Sequence, residues 1–150
     1  MSDLKTVISS FDCGGEEVSF FTLEGNIDVR MAPKLKGRFL DLCDEGKYNI
    51  ILDLKKVEFH DSSGLGVMIG GLKRVKKHKG MVGILDAQEN SLSIFRITGL
   101  INIFPFYKTV SGVAGEYVSS EKAFINQLAD NQKRSLVLEC VRKYANANKD

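Results

Sequence analysis

Hydrophobic and polar residues follow two different periods along the chain, and each change of period marks a change of element. Short runs rich in β-branched and aromatic residues predict strands, whereas apolar residues spaced three and four apart predict helices. The predicted strands are Thr6–Phe11, Val18–Leu23, Asn49–Leu54, Met81–Leu85 and Ile103–Phe106. The predicted helices are Ala32–Glu45, Ser63–His78 and Gln88–Thr98.

The order of these elements predicts an α/β fold with a mixed, mostly parallel sheet of four to five strands and helices packed on it. Strands separated by whole helices need crossover connections, which place them parallel in a sheet. The first two strands are joined only by a turn at Cys13, Gly14 and Gly15, so they favour an antiparallel hairpin. Pro33 in the first turn and Gly46 just past the end delimit the first helix.

The C-terminal part of the chain has a different pattern. The stretch 110–118 contains Gly112 and Gly115, which disfavour a helix and predict a hinge. A second helical pattern runs from Ser120 to about Tyr144, and the polar stretch 130–135 can interrupt it. We therefore divide the chain into a domain at 1–112 and a C-terminal helical extension at 113–150.

The extension carries an irregular apolar stripe without a clean heptad. Its members are Phe124, Leu128, Val137, Val141 and Tyr144. A free helix would expose this stripe, and isolated helices of this length are marginal in water. We expect the stripe to pack on the domain's own sheet or helices, with a second copy of the chain as the alternative.

Composition and charge exclude several classes of protein. The chain has 150 residues, 43% of them hydrophobic, and a net charge of +2, so it predicts a folded globule without a strong field for nucleic acid or anionic membranes. Its apolar runs are too short to span a membrane, and its N-terminus lacks the pattern of a signal peptide. Three widely spaced cysteines fit neither a disulfide framework nor a zinc site. These features predict a cytoplasmic protein without a metal or a cofactor.

The residues Asp61, Ser62, Ser63 and Gly64 fall on the turn between a predicted strand and a predicted helix. A helix start has free backbone N–H groups and the positive end of the helix dipole. A serine there can cap the helix, and a phosphate carried by that serine would also face those N–H groups. We therefore interpret Ser62 as both an N-cap and a phosphorylatable residue.

Catalytic interpretations of this region fit less well. Four glycines follow the turn, but their spacing matches neither a dinucleotide fingerprint nor a P-loop, and close packing of the helix on the sheet explains them better. They are Gly64, Gly66, Gly70 and Gly71. Ser62 lacks the flanking glycines of a hydrolase nucleophile, and only His60 and His78 could act as its base. We expect no enzymatic activity.

A cationic run lies at the end of the same predicted helix. It contains Lys73, Arg74, Lys76, Lys77, His78 and Lys79. Cations complement the dipole at a helix C-terminus, so a solvated helix face is the favoured interpretation. A surface for docking a partner comes second, and nucleic acid is a distant third.

Several stretches of the chain together resemble the anti-sigma factor antagonist family of STAS domains. They are Gly25–Asp28, Val57–Gly80, Ile94–Leu100 and Ile103–Pro105, and they occur in the family's order over roughly the first 110 residues. The resemblance implies that Ser62 is phosphorylated by an anti-sigma factor with serine kinase activity. It also implies that Asp28 lies near Ser62 and that Asp61, Ser63 and Gly64 complete the partner interface.

The function implied by the resemblance is partner switching in the regulation of transcription. The unphosphorylated form would bind the anti-sigma factor and release a sigma factor, and phosphorylation would switch binding off until a serine phosphatase restores it. The chain would be a monomer or a homodimer and would not bind nucleic acid directly. Two alternatives stay open: a STAS-type module for a nucleotide or small anion, and a scaffold or oligomerisation protein without kinase control.

Five residues depart from the family pattern, and two of them, Gly112 and Gly115, interrupt the family's final helix. Asn26 stands where the family usually has Glu, and His60 stands where an apolar residue is usual. Met31 stands where a capping Thr is common, so the first helix is expected to start less firmly.

Overall fold

A computed structural model describes residues 4–110, 113–117, 122 and 123, 127 and 128, and 130–148. The strands are β1 (Lys5–Cys13), β2 (Glu16–Ile27), β3 (Asn49–Phe59), β4 (Met81–Leu85), β5 (Phe106–Val110) and β6 (Val113–Tyr117). The helices are α1 (Ala32–Asp44), α2 (Ser63–Lys76), α3 (Glu89–Ile97) and α4 (Asn131–Ala147), with a short 3-10 helix at Leu100–Asn102.

The strands form one sheet in the order β1-β2-β3-β4-β5-β6. The pairs β2–β3, β3–β4 and β4–β5 are parallel, because a helical crossover connects each of them, and the hairpins β1–β2 and β5–β6 are antiparallel. The mixed, mostly parallel sheet predicted from the sequence is confirmed. With six strands in the described part of the chain, it has one more than expected.

Helices cover the sheet on both faces, so its central strands are buried on both sides. In β3, Ile50 and Leu52 point into the core beneath α1, α2 and α3, whereas Ile51 points into a second core beneath α4. This alternation is the period of two that a strand imposes on its side chains. Asn49–Leu54 therefore has a nearly continuous apolar sequence, as is typical of a parallel strand between two layers.

The C-terminal helix α4 closes the second core against the chain's own sheet. The ring of Tyr144 stacks on Phe20, with centroids 4.3 Å apart. Its hydroxyl donates to Asp53 Oδ2 at 2.6 Å and lies 2.7 Å from Thr22 Oγ1. The expectation that the apolar stripe packs on the domain itself is confirmed for Leu128, Val137, Val141 and Tyr144. Phe124 lies outside the described residues.

Two predictions in the second half of the chain were wrong. Ile103–Phe106 is not a strand, because the amides of Ile103 and Phe104 both bond back to the Leu100 carbonyl, and β5 begins only at Phe106. The predicted glycine hinge contains β6, in which Gly115 lies, while Gly112 is outside the described residues. The glycines do disfavour a helix there, but the neighbouring β-branched and aromatic residues favour a strand.

The polar stretch 130–135 interrupts the predicted tail helix by starting a new one. Asp130 caps α4, and its Oδ1 accepts the amide of Gln132 at 2.9 Å. A carboxylate at this position satisfies helix N–H groups and complements the dipole. Leu128 and Asp130, just before α4, are not helical.

Candidate functional site

The site lies where β2 and β3 end side by side. Ile27 pairs with Phe59 in the parallel register, and the amide of His60 donates to the Ile27 carbonyl at 2.9 Å. The loops that follow the two strands, 28–31 and 60–62, therefore emerge together at one edge of the sheet. In open α/β sheets this edge, at the carboxyl ends of the strands, is the usual place for a site.

Asp61 joins the two loops. Its Oδ2 accepts the amide of Val29 at 3.0 Å and its Oδ1 accepts the amide of Ser63 at 2.9 Å. Hydrogen bonds from the Ser63 hydroxyl and amide, and then from the Val29 amide, hold the pKa of Asp61 below its usual range, while the neighbouring charge of Asp28 opposes this shift. Asp61 is thus an ionised clamp between the start of α2 and the loop before α1.

Asp28 organises the other loop. Its Oδ1 accepts the amides of Arg30 at 2.9 Å and Met31 at 3.1 Å, and its Oδ2 lies 3.0 Å from the Arg30 guanidinium. The Arg30 side chain, followed by the two amides, lowers the pKa of Asp28. Met31, at the N-cap position of α1, makes no side-chain capping hydrogen bond, and the Asp28 carboxylate holds the loop before the helix instead.

Ser62 occupies the N-cap position of α2, but its side chain makes no capping hydrogen bond. The prediction that its hydroxyl caps the helix is wrong; at this helix start it is the Asp61 carboxylate, one residue earlier, that accepts the amide of Ser63. Ser62 is exposed, whereas Ser63 is half-buried in the first turn of the helix. The hydroxyl of Ser62 therefore stands on the surface with no structural task among the described residues.

The four glycines of α2 divide into two pairs. A Cβ at Gly64 would lie 2.6 Å from Ile27 Cγ2, and one at Gly71 would lie 2.6 Å from Phe39 Cε1, so close packing explains both. A Cβ at Gly66 or Gly70 would meet no atom within 4 Å. The packing explanation is wrong for this second pair.

Val29 is a residue of the site that the sequence analysis missed. It is 68% exposed and lies in the loop between the two carboxylates Asp28 and Asp61. An apolar side chain exposed on a loop that Asp61 ties to the start of α2 is a candidate contact for a protein partner. The sequence does contain a hint, because Val29 is an apolar residue between Asp28 and Arg30 that belongs to no predicted strand or helix.

The other polar residues singled out by the sequence take surface positions. His60 Nε2 lies 3.7 Å from the Glu58 carboxylate. The cationic run at the end of α2 is exposed, as predicted, although the ring of His78 stacks on Tyr48 at 4.0 Å. Within the described ranges, no helix combines the length and the apolar character that crossing a membrane requires.

Comparison with known proteins agrees with this arrangement. The STAS domain family matches residues 14–113. The anti-sigma-B factor antagonist of Bacillus subtilis is 38% identical over 81 residues, which are 54% of this chain and 73% of the relative. That of Staphylococcus aureus (strain NCTC 8325) is 32% identical over 76 residues, 51% of this chain and 70% of the relative.

A solved structure shares both the fold and part of the sequence. The anti-sigma factor antagonist from Mycobacterium paratuberculosis superposes with a TM-score of 0.62 at 26% identity, over 72% of this chain and 88% of its own. The order of strands, the paired loops at the ends of β2 and β3, and the match over 14–113 all agree with one family. The chain belongs to the STAS domain family.

Proposed function

We propose that this chain is an anti-sigma factor antagonist controlled by phosphorylation of Ser62. In its unphosphorylated form it binds a cytoplasmic anti-sigma factor with serine kinase activity, and the sigma factor is released. The observation that carries this proposal is the exposed Ser62 hydroxyl, which makes no capping bond and follows Asp61, the carboxylate that interacts with Asp28 and bonds the loop of the exposed Val29. The relatives from Bacillus subtilis and Staphylococcus aureus, both anti-sigma-B factor antagonists, support the same partner class.

The surface around Ser62 suits a switch that depends on charge. The unmodified hydroxyl is neutral, so a partner can cover it together with Val29 at little desolvation cost. In the phosphoryl transfer, Ser62 Oγ forms a bond to the γ-phosphorus of ATP while the bond between that phosphorus and the oxygen bridging to the β-phosphate breaks. ADP leaves, and the hydroxyl proton passes to a base of the kinase. The product carries about −1.5 to −2 additional charges at neutral pH.

The new charge would lie in a field that is already negative. Asp61 is adjacent in sequence, and the charges of Asp61 and Asp28 are close enough to interact. An interface that had closed over the hydroxyl would have to bury a dianion beside these carboxylates, which is costly unless a cation meets it. Release of the partner follows, and a serine phosphatase would restore binding.

Ser62 is a better acceptor than Ser63 for a structural reason. The Ser63 amide donates to the Asp61 carboxylate at 2.9 Å, the Ser63 hydroxyl contributes to the lowered pKa of that carboxylate, and the Ser63 side chain is half-buried in the first helical turn. A kinase would have to break this clamp to reach Ser63. The Ser62 hydroxyl can be approached without moving either loop.

The same carboxylates argue against the alternative of a module for a free nucleotide or small anion. A free anion at the start of α2 would compete with Asp61 for the Ser63 amide and would face the charge of Asp28. A covalent phosphate tolerates this field because its bond to Ser62 holds it there. The alternative of a scaffold or oligomerisation protein depended on an exposed apolar stripe in the C-terminal extension. Because α4 packs on the chain's own sheet, the described residues of that stripe are buried within one chain.

The experiment combines capture with phosphate transfer. Wild-type chain and Ser62→Asp are used to capture partners from native extract, and the protein retained by wild type alone is identified, purified and incubated with the chain and ATP. We expect an anti-sigma factor that adds one phosphate to wild type and none to Ser62→Ala. Ser63→Ala is the matched control and should still be modified. Phosphate mapped to Ser63, or capture of no anti-sigma factor, would contradict the proposal.

A further inference from the structure

A groove of about 470 Å³ runs between α1 and α2 and begins at the candidate site. The α2 residues that line it extend from Ser63 to Arg74, which is roughly 16 Å along a helix axis at 1.5 Å per residue. Leu40 and Val67 form apolar walls. The groove is therefore long enough for about three turns of a partner helix laid along α2.

The charges of the groove define the chemistry of its occupant. Lys36 from α1 and Arg74 from α2 both line it, and both are exposed. In the part of the chain that the structure describes, neither cation pairs with a carboxylate. Apolar walls with two unpaired cations match a segment that presents an apolar residue between carboxylates.

The open floor of the groove is not required by the fold itself. Gly66 and Gly70 lie on it, and a Cβ at either position would meet only open space. Glycine inside a helix is less stable than alanine, so these two positions lower helix stability without relieving any contact within the chain. Close approach by another molecule would account for them.

We infer that this groove docks an acidic amphipathic segment of the anti-sigma factor, with its carboxylates on Lys36 and Arg74. The inference rests on the proposed function, because the groove begins at Ser63, next to the hydroxyl that the kinase must cover. A phosphate on Ser62 would place a dianion at that end of the groove and repel the carboxylates of the same segment. Phosphorylation would then weaken both parts of the interface together.

The test measures binding of the purified anti-sigma factor to five full-length chains by calorimetry. Gly70→Leu fills the groove and Arg74→Glu reverses the charge at its rim. Gly37→Leu is the matched control for the first, since Gly37 also lies in a helix with open space at its Cβ but outside the groove. Lys73→Glu is the control for the second, because Lys73 is exposed in the same last turn and does not line the groove.

We expect Gly70→Leu and Arg74→Glu to weaken binding about tenfold or more, and both controls to stay within about twofold of wild type. Thermal unfolding should show Gly70→Leu melting at or above the wild-type temperature, since leucine is the better helix former. Raising the salt concentration should weaken binding of wild type more than that of Arg74→Glu.

The possible failures are distinguishable. If wild type binds the anti-sigma factor and all four variants bind equally well, the groove is not part of the interface and the proposed function stands. If wild type does not bind at all, both proposals are wrong. If Gly70→Leu changes the oligomeric state in light scattering and leaves affinity unchanged, the occupant is a second copy of the chain, and the inference is overturned.

Discussion

Tyr144→Phe tests whether α4 is held to the sheet by the polar contacts beneath it. The substitution removes one hydroxyl, which donates to Asp53 at 2.6 Å and lies 2.7 Å from Thr22. The ring remains stacked on Phe20, so no cavity opens. Asp53 is only 3% exposed; its Oδ1 would keep the amide of Lys55 at 3.1 Å, but its Oδ2 would lose the Tyr144 hydroxyl. A hydrogen bond to a charged group contributes about 1.5–3 kcal/mol, and an unsatisfied buried partner places the loss toward the upper part of that range.

Urea unfolding monitored by circular dichroism measures this loss. We expect the free energy of unfolding to fall by about 2–3 kcal/mol, equivalent to roughly 5–10 °C in melting temperature for a chain of this size. Tyr48→Phe is the matched control, because Tyr48 also stacks on a ring and no described residue bonds to its hydroxyl. A loss below about 0.5 kcal/mol for Tyr144→Phe, equal to that of the control, would refute the reasoning. Phosphate incorporation at Ser62 should be unchanged, since the contacts lie beneath α4 and not at the site.

Three further predictions concern the site itself. Ser62→Asp should bind the anti-sigma factor more weakly than Ser62→Ala, by roughly 2–5 kcal/mol, because it places a charge in the interface; equal affinities in calorimetry would place Ser62 outside the contact. Gly64→Ala should destabilise the fold by about 1–3 kcal/mol, since its Cβ would meet Ile27 at 2.6 Å, whereas Gly66→Ala should stabilise it by about 0.5–1 kcal/mol in the same urea assay. The pKa of Asp61 in the folded chain lies below its ordinary value of 3.8, so the ionised carboxylate stabilises the fold fully above pH 3.8 and less as the pH falls through the folded-state pKa. The difference in unfolding free energy between wild type and Asp61→Asn should therefore shrink in acid. A difference that stays constant with pH would contradict the role of Asp61 as a clamp.

The sequence predicted those parts of the fold that depend on local pattern. The apolar run Asn49–Leu54, with Pro33 and Gly46 around α1, was enough to place a strand and a helix, although β3 continues to Phe59. β6 was missed because glycines weigh against a helix without indicating a strand, and its pairing with β5 is a tertiary contact. The hydrophobic periodicity of a segment does not show which other strand it will pair with in the sheet.

At the candidate site the structure adds Val29 to the residues that the sequence singled out and changes their hydrogen-bonding roles. Ser62, Asp61 and Asp28 were all identified, yet the sequence assigned the capping role to the serine. Asp61 takes the Ser63 amide and also reaches Val29, 32 residues away along the chain. A local rule for aspartate turns could have predicted the bond to Ser63, two residues on, whereas only the parallel pairing of β2 with β3 brings the distant Val29 amide within reach.

The Asp61 clamp between the two loops also bears on how fast the proposed switch can operate. Because the loops at Val29 and Ser63 are tied to one carboxylate, modification of the exposed Ser62 requires no rearrangement of the chain. No peptide isomerisation or refolding step would then separate the two states. The response time would be set by the turnover of the kinase and phosphatase and by the dissociation of the complex, and the same molecule could be reset through many cycles without passing through an unfolded intermediate.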